Sequence, residues 1–199
     1  MFYEFVRPLI CPFGEIEKFV PSKGEILDVG CGHGLFSKIL AERSLDRQVT
    51  GIDPSEIKIR HARKYSHLKN LKFEVCELSD LINRKVRFDC IIVIDVLYLF
   101  PRREKGKFFE ICRKLLKKNG SLIVVENGNG SGFIYKVLKI EETIMTRLFK
   151  FTFTKYEGLH FLSRDGYKRM LTELGFGVKT RINLKSFLPY PHFLLVVTR

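Results

Sequence analysis

Short apolar runs alternate with stretches of helical periodicity from about residue 24 to the end of the 199-residue chain. The clearest run is Phe88-Asp89-Cys90-Ile91-Ile92-Val93-Ile94, nearly continuous, as a central parallel strand covered on both faces requires. Ile26, Leu27 and Val29 supply an earlier strand, Gln48 to Asp53 a second, and Leu71 to Leu78 a third. Between them, Leu35 to Glu42 reads as a helix, and Ser55 is placed to cap another that starts at Glu56. Pro101 opens a helix carrying Phe108, Phe109, Ile111, Cys112, Leu115 and Leu116 at helical spacing, which Asn119-Gly120 stops before a strand through Leu122 to Glu126. Two last strands, from Gly177 and through Phe193 to Thr198, are joined by the Pro189-Tyr190-Pro191 turn with no helix between them, so they are antiparallel neighbours. Seven strand candidates alternating with helices predict an α/β, doubly wound, mostly parallel seven-stranded sheet with an antiparallel last strand and helices on both faces.

The junction after the first strand carries the candidate chemistry. Asp28-Val29-Gly30-Cys31-Gly32-His33-Gly34 runs from strand end through three alternate glycines into a helix, which is where open α/β sheets bind nucleotides. A dinucleotide fingerprint needs its third glycine three residues after the second, at the position of Leu35. Here it comes early, at Gly34, and Asp28 beside the turn repels a pyrophosphate but suits a ligand with a free ammonium group. The spacing resembles the Asp-x-Gly-x-Gly-x-Gly motif of the class I S-adenosylmethionine-dependent methyltransferases, position for position.

That resemblance implies a Rossmann-like methyltransferase domain over residues 1–199 with S-adenosylmethionine as methyl donor and no metal. It places the cofactor on Asp28, Gly30, Cys31, Gly32 and Gly34, with the Cys31 side chain packing inward. Asp53, followed by Pro54, lies where such a fold presents an acid to the ribose hydroxyls, although it could simply cap the next helix. Glu77 and the Leu78 backbone correspond to the adenine contacts, here with Cys76-Glu77 where the family often has Gly-Asp. Asp95 ends the fourth strand facing the methyl group, with capping as its alternative role.

Composition and charge bear on the acceptor. Five scattered cysteines form no Cys-x-x-Cys pair, so neither a zinc site nor a disulfide framework is indicated. Without a signal peptide or an 18-residue apolar run, the chain is expected to be cytoplasmic, with membrane association at the inner face as an option. Net charge is +13 and uneven: residues 1–100 hold 15 Lys/Arg against 14 Asp/Glu, and residues 101–199 hold 20 against 8. A basic half suits an anionic membrane surface, an anionic small substrate or nucleic acid. Residues 1–22 are expected to form an N-terminal cap, and residues 127–162 a helical insertion that covers the acceptor. The insertion is amphipathic, basic and Phe-rich, which fits a small-molecule or lipid-like acceptor better than RNA. An acceptor of high pKa needs a base; His160, Tyr98 and Glu126 are the candidates, whereas His192, which could face the same edge, reads more as a residue packed at a turn. A non-catalytic nucleotide-binding module is the alternative from another class.

Overall fold

The computed structural model describes residues 2–127, 160–187 and 191–199. Seven strands form one sheet in the order β3-β2-β1-β4-β5-β7-β6. They are β1 (Gly24–Val29), β2 (Arg47–Asp53), β3 (Leu71–Val75), β4 (Phe88–Ile94), β5 (Leu116–Asn127), β6 (Gly177–Asn183) and β7 (His192–Thr198). Strands β1 to β5 pair in parallel, and β7 inserts antiparallel between β5 and β6. The last strand in sequence is therefore an inner strand, and its six leading residues are buried.

Alternation along the strands sorts the core into two layers, because successive side chains point to opposite faces. On one face Leu27, Val29, Ile91, Val93, Leu122 and Val124 pack with helices α5 (Arg102–Leu115) and α6 (Arg164–Glu173) and the short 3-10 helix Leu78–Arg84. On the other, Ile26, Cys90, Ile92, Ile94, Ile123 and Val125 pack with α2 (Phe13–Glu17), α3 (Leu35–Arg43) and α4 (Glu56–Ala62). Helix α1 (Phe2–Ile10) precedes these, so the expected N-terminal cap is helical.

Two boundaries differ from the sequence reading. β3 stops at Val75, because Leu78 turns inward to begin the 3-10 helix. α5 gives way directly to β5 at Leu116, and Asn119 takes a left-handed φ of 65° inside that strand rather than between helix and strand. Strand register shifts at the same place, between Phe88 and Cys90 of β4. Most of the expected insertion at 127–162, from 128 to 159, lies outside the described residues.

Candidate active site

Strand order reverses between β1 and β4, so the loops that follow them face each other across the crevice where doubly wound sheets bind ligands. The loop after β1 is the glycine turn. Gly30, Gly32 and Gly34 have φ of 70°, 55° and 77°, and the amides of Gly30 and Cys31 both donate to the Ile52 carbonyl at the end of β2. A Cβ on Gly30 would sit 2.5 Å from Cγ2 of Val96, so the absence of a side chain is what lets the two loops approach.

Carboxylates then fix this turn. Asp53 Oδ2 accepts from the Gly32 amide at 3.1 Å and Oδ1 from the Ser55 amide at 2.9 Å. The acid expected at the ribose thus braces the glycine turn, with the Lys58 ammonium 3.9 Å from Oδ2, and these two amide bonds leave acceptor capacity on the carboxylate. Asp28 is buried and accepts from the Ser37 hydroxyl of α3 at 2.6 Å. Burial pushes its carboxyl up to about 6, against the opposing effect of the Ser37 hydrogen bond. Cys31 packs against the core, and burial raises its thiol well above the ordinary value, as a packing role requires.

Beyond β4 lies a second group of polar residues. Asp95 has a φ of 52°, and its amide donates to the Val125 carbonyl at 2.9 Å. Its carboxylate takes Arg7 Nη2 of α1 at 2.7 Å, His192 Nε2 at 3.0 and 3.1 Å, and Asn127 Nδ2 at 3.3 Å. Burial opposes ionisation here, but the charges and hydrogen bonds of His192 and Arg7 outweigh it and hold the carboxyl well below its usual range. Cys11, fully buried, completes the cluster, with its sulfur, an Asp95 oxygen and a His192 nitrogen all within 4.8 Å of one another.

Several candidates occupy places other than those expected. Glu126 is buried, and its Oε1 accepts from the amides of Val96 at 2.9 Å and Leu97 at 2.6 Å. It therefore shapes the loop after β4 instead of presenting a free carboxylate to an acceptor. Burial and then the Asp95 charge push its carboxyl up to about 8. His160 is held through its backbone: its amide donates to the Tyr98 carbonyl at 2.7 Å and its carbonyl accepts from Lys105 Nζ at 2.6 Å. Tyr98 stacks on Phe161 with ring centres 5.5 Å apart. Glu77 is exposed and forms a capping box with Asp80, a job the sequence reading had not assigned, while Leu78 sinks its side chain into the core and Pro54 is exposed. His192, read as a turn residue, instead opens β7 and lies buried against Asp95. The available signal was a histidine at a strand end on the active edge; nothing in the local pattern names a partner 97 residues away.

A sheet of this order, with a glycine turn after β1 and acids after β2 and β4, has the architecture of the Rossmann-like methyltransferase fold. Residues 26–120 match the family model described as a methyltransferase domain. The chain is 30% identical over 118 residues to a ubiquinone biosynthesis O-methyltransferase of Bradyrhizobium diazoefficiens, covering 58% of this chain and 45% of that protein. It is 31% identical over 130 residues to one from Coxiella burnetii, covering 63% of this chain and 54% of that protein. The chain thus spans about half the length of the curated relatives it matches. Among solved structures, magnesium protoporphyrin IX methyltransferase from Synechocystis with bound S-adenosylhomocysteine superposes with a TM-score of 0.69 at 19% identity, covering 98% of this chain and 84% of that one. A methyltransferase from Methanosarcina mazei gives 0.70 at 21% identity, covering 93% and 96%. These structural likenesses establish the fold.

S-adenosylmethionine is the cofactor this fold implies. The residues present fit it: a side-chain-free turn at Gly30, a partly uncommitted acid at Asp53, and no phosphate-binding glycine at Leu35. When bound, the cofactor supplies an activated methyl group on a sulfonium. The turn and Asp53 would hold it, while the loop from Asp95 to Phe100 and the first residue of β7 lie at the same edge of the sheet.

Proposed function

We propose that this chain transfers the methyl group of S-adenosylmethionine to an O, N or C atom of a small-molecule or lipid-like acceptor. The observation that carries the proposal is the Gly32–Asp53 brace of the glycine turn at the β1/β4 crevice, which suits an adenosine compound without phosphates. Oxygen is the favoured acceptor atom, since the two curated relatives described above are named as O-methyltransferases of ubiquinone biosynthesis. An acceptor with a lipid-like portion agrees with this, as does peripheral contact between the active edge and an anionic membrane at the cytoplasmic face. Phe5 and Leu9 on α1 are 72% and 42% exposed and Phe187 ahead of β7 is 83% exposed, while the second half of the chain carries most of the excess positive charge. No described helix is long and apolar enough to cross a membrane.

Calorimetry with S-adenosylhomocysteine and with NAD tests the donor; heat with NAD alone would overturn it. Transfer of labelled methyl to phenolic quinone precursors, phospholipids and bulk RNA tests the acceptor. Methylation of RNA alone, with affinity falling steeply as salt rises, would replace the small-molecule reading.

A further inference from the structure

Glu126 is committed to holding the backbone of the loop after β4, and the same edge contains a buried histidine–carboxylate pair. β7 runs antiparallel to β5, so its first residue, His192, stands opposite Asn127 at the same edge as the carboxyl ends of β1 and β4. We propose that His192, held by Asp95, is the base that takes the proton of an acceptor hydroxyl. The inference rests on the methyltransferase reading and narrows its acceptor to a phenol-like or enol-like O–H, a group whose oxygen must lose its proton to become a competent nucleophile.

Asp95 is an expensive residue to keep for stability alone. It is non-glycine at positive φ, its side chain is 8% exposed, and it ends up inside a buried cluster with two potential cations. Strain of this kind concentrates at functional sites, and buried ion pairs are poor sources of net stability. The arrangement has a specific chemical consequence. An ionised Asp95 facing Nε2 places the neutral ring's proton on that nitrogen and leaves Nδ1 as the basic one. Arg7 shares the Asp95 charge at 2.7 Å, and the carboxylate orients the imidazole. Among the described residues, the cluster also holds Cys11, a thiol that burial keeps protonated, and Asn127, which is neutral, while Glu126 acts on Asp95 through space.

In the step itself, the acceptor O–H proton moves to Nδ1 of His192. The oxygen lone pair forms the new bond to the methyl carbon as the carbon–sulfur bond opens, its electron pair staying on sulfur. Charge balances, because a sulfonium becomes a thioether while the imidazole becomes an imidazolium. The His192 side chain is closed to solvent in this structure, and Arg7 and Cys11 lie against its cluster. Reaching Nδ1 therefore requires the contacts of Arg7 and Cys11 with this cluster to loosen.

The test reads the ring directly. In the full chain labelled with 15N-histidine, long-range proton–nitrogen spectra at about pH 8 should show an imidazole, missing from His192→Gln, that is protonated on Nε2 and not on Nδ1. Asp95→Asn should abolish that tautomer preference. If the Gln variant does not fold, single variants of the other four histidines assign the signal by elimination. A ring that stays doubly protonated to about pH 10, or carries its proton on Nδ1, overturns the proposal. With any acceptor methylated in the panel above, His192→Gln should lower turnover about a hundredfold or more while S-adenosylhomocysteine affinity is kept; unchanged turnover overturns it equally. Failure of the wider reading would show separately, as no heat with S-adenosylhomocysteine.

Discussion

Asp53 reaches across from the end of β2 to accept the Gly32 amide at 3.1 Å, so one carboxylate ties the end of β2 to the glycine turn after β1. Asp53→Ala should weaken S-adenosylhomocysteine binding about tenfold or more, since a hydrogen bond to a charged group is worth roughly 1.5–3 kcal/mol. It should also lower thermal stability, because the Gly32 and Ser55 amides lose their acceptor. Asp53→Asn retains one oxygen for an amide and should recover part of the stability but less of the affinity. Calorimetry beside thermal unfolding separates the two roles; unchanged affinity in both variants would leave Asp53 a brace only.

Gly30→Ala challenges the approach of the two loops. A Cβ there meets Val96 at 2.5 Å, and the φ of +70° is unfavourable for any L side chain, at about 1–2 kcal/mol. The variant should unfold at lower temperature and bind S-adenosylhomocysteine more weakly. Adding Val96→Ala relieves the clash but not the dihedral, so the double variant should recover only part of the loss. Full recovery would mean the backbone at Gly30 carries no strain.

How much of this was legible in the sequence depended on range. β4 runs over Phe88–Ile94 as the apolar run predicts, and the Gly30–Gly34 turn sits where its spacing puts it, because periodicity and φ-demanding glycines are local signals. Boundaries slipped where local and tertiary preferences compete. Leu78 looks like strand continuation but is drawn inward by the core, and Leu116 looks helical but pairs with Phe88. The polar cluster was the least legible part. Arg7, Asp95 and His192 come from three distant segments, and only topology brings β7 back beside β5. Glu126 was placed at the right edge, but its partners are amides of the neighbouring loop, which no side-chain pattern announces.

Glu126 gives the fold a pH dependence of definite sign. Burial and the Asp95 charge raise its carboxyl from an ordinary 4.5 to about 8, so across that interval the folded chain holds a proton that the unfolded chain has released. Stability from this group is complete below the unfolded value and declines as pH rises towards about 8. Glu126→Gln keeps an oxygen for the Val96 and Leu97 amides but cannot ionise. Thermal unfolding of the native chain should therefore fall from about pH 5 to pH 8 more steeply than that of the Gln variant. Parallel curves would mean that Glu126 does not titrate in this range.

Lys105 is the clamp between the loop after β4 and the return of the chain at residue 160. It is 1% exposed, and its ammonium donates to the carbonyls of Phe100 and His160, 55 residues further on. Burial lowers its pKa to about 8, against the favourable charge of Glu126. Lys105→Met fills the same space but leaves two carbonyls without their donor, at about 1–3 kcal/mol for each that stays buried. Lys105→Arg keeps the charge but must fit a planar fork where a single compact ammonium sits between two acceptors. Both variants should melt at lower temperature, and Arg should not restore the native value. Because the clamp lies beyond the glycine turn, S-adenosylhomocysteine affinity should change little. Equal loss of cofactor affinity and stability would show instead that the Lys105 clamp and the β1 turn unfold as one unit.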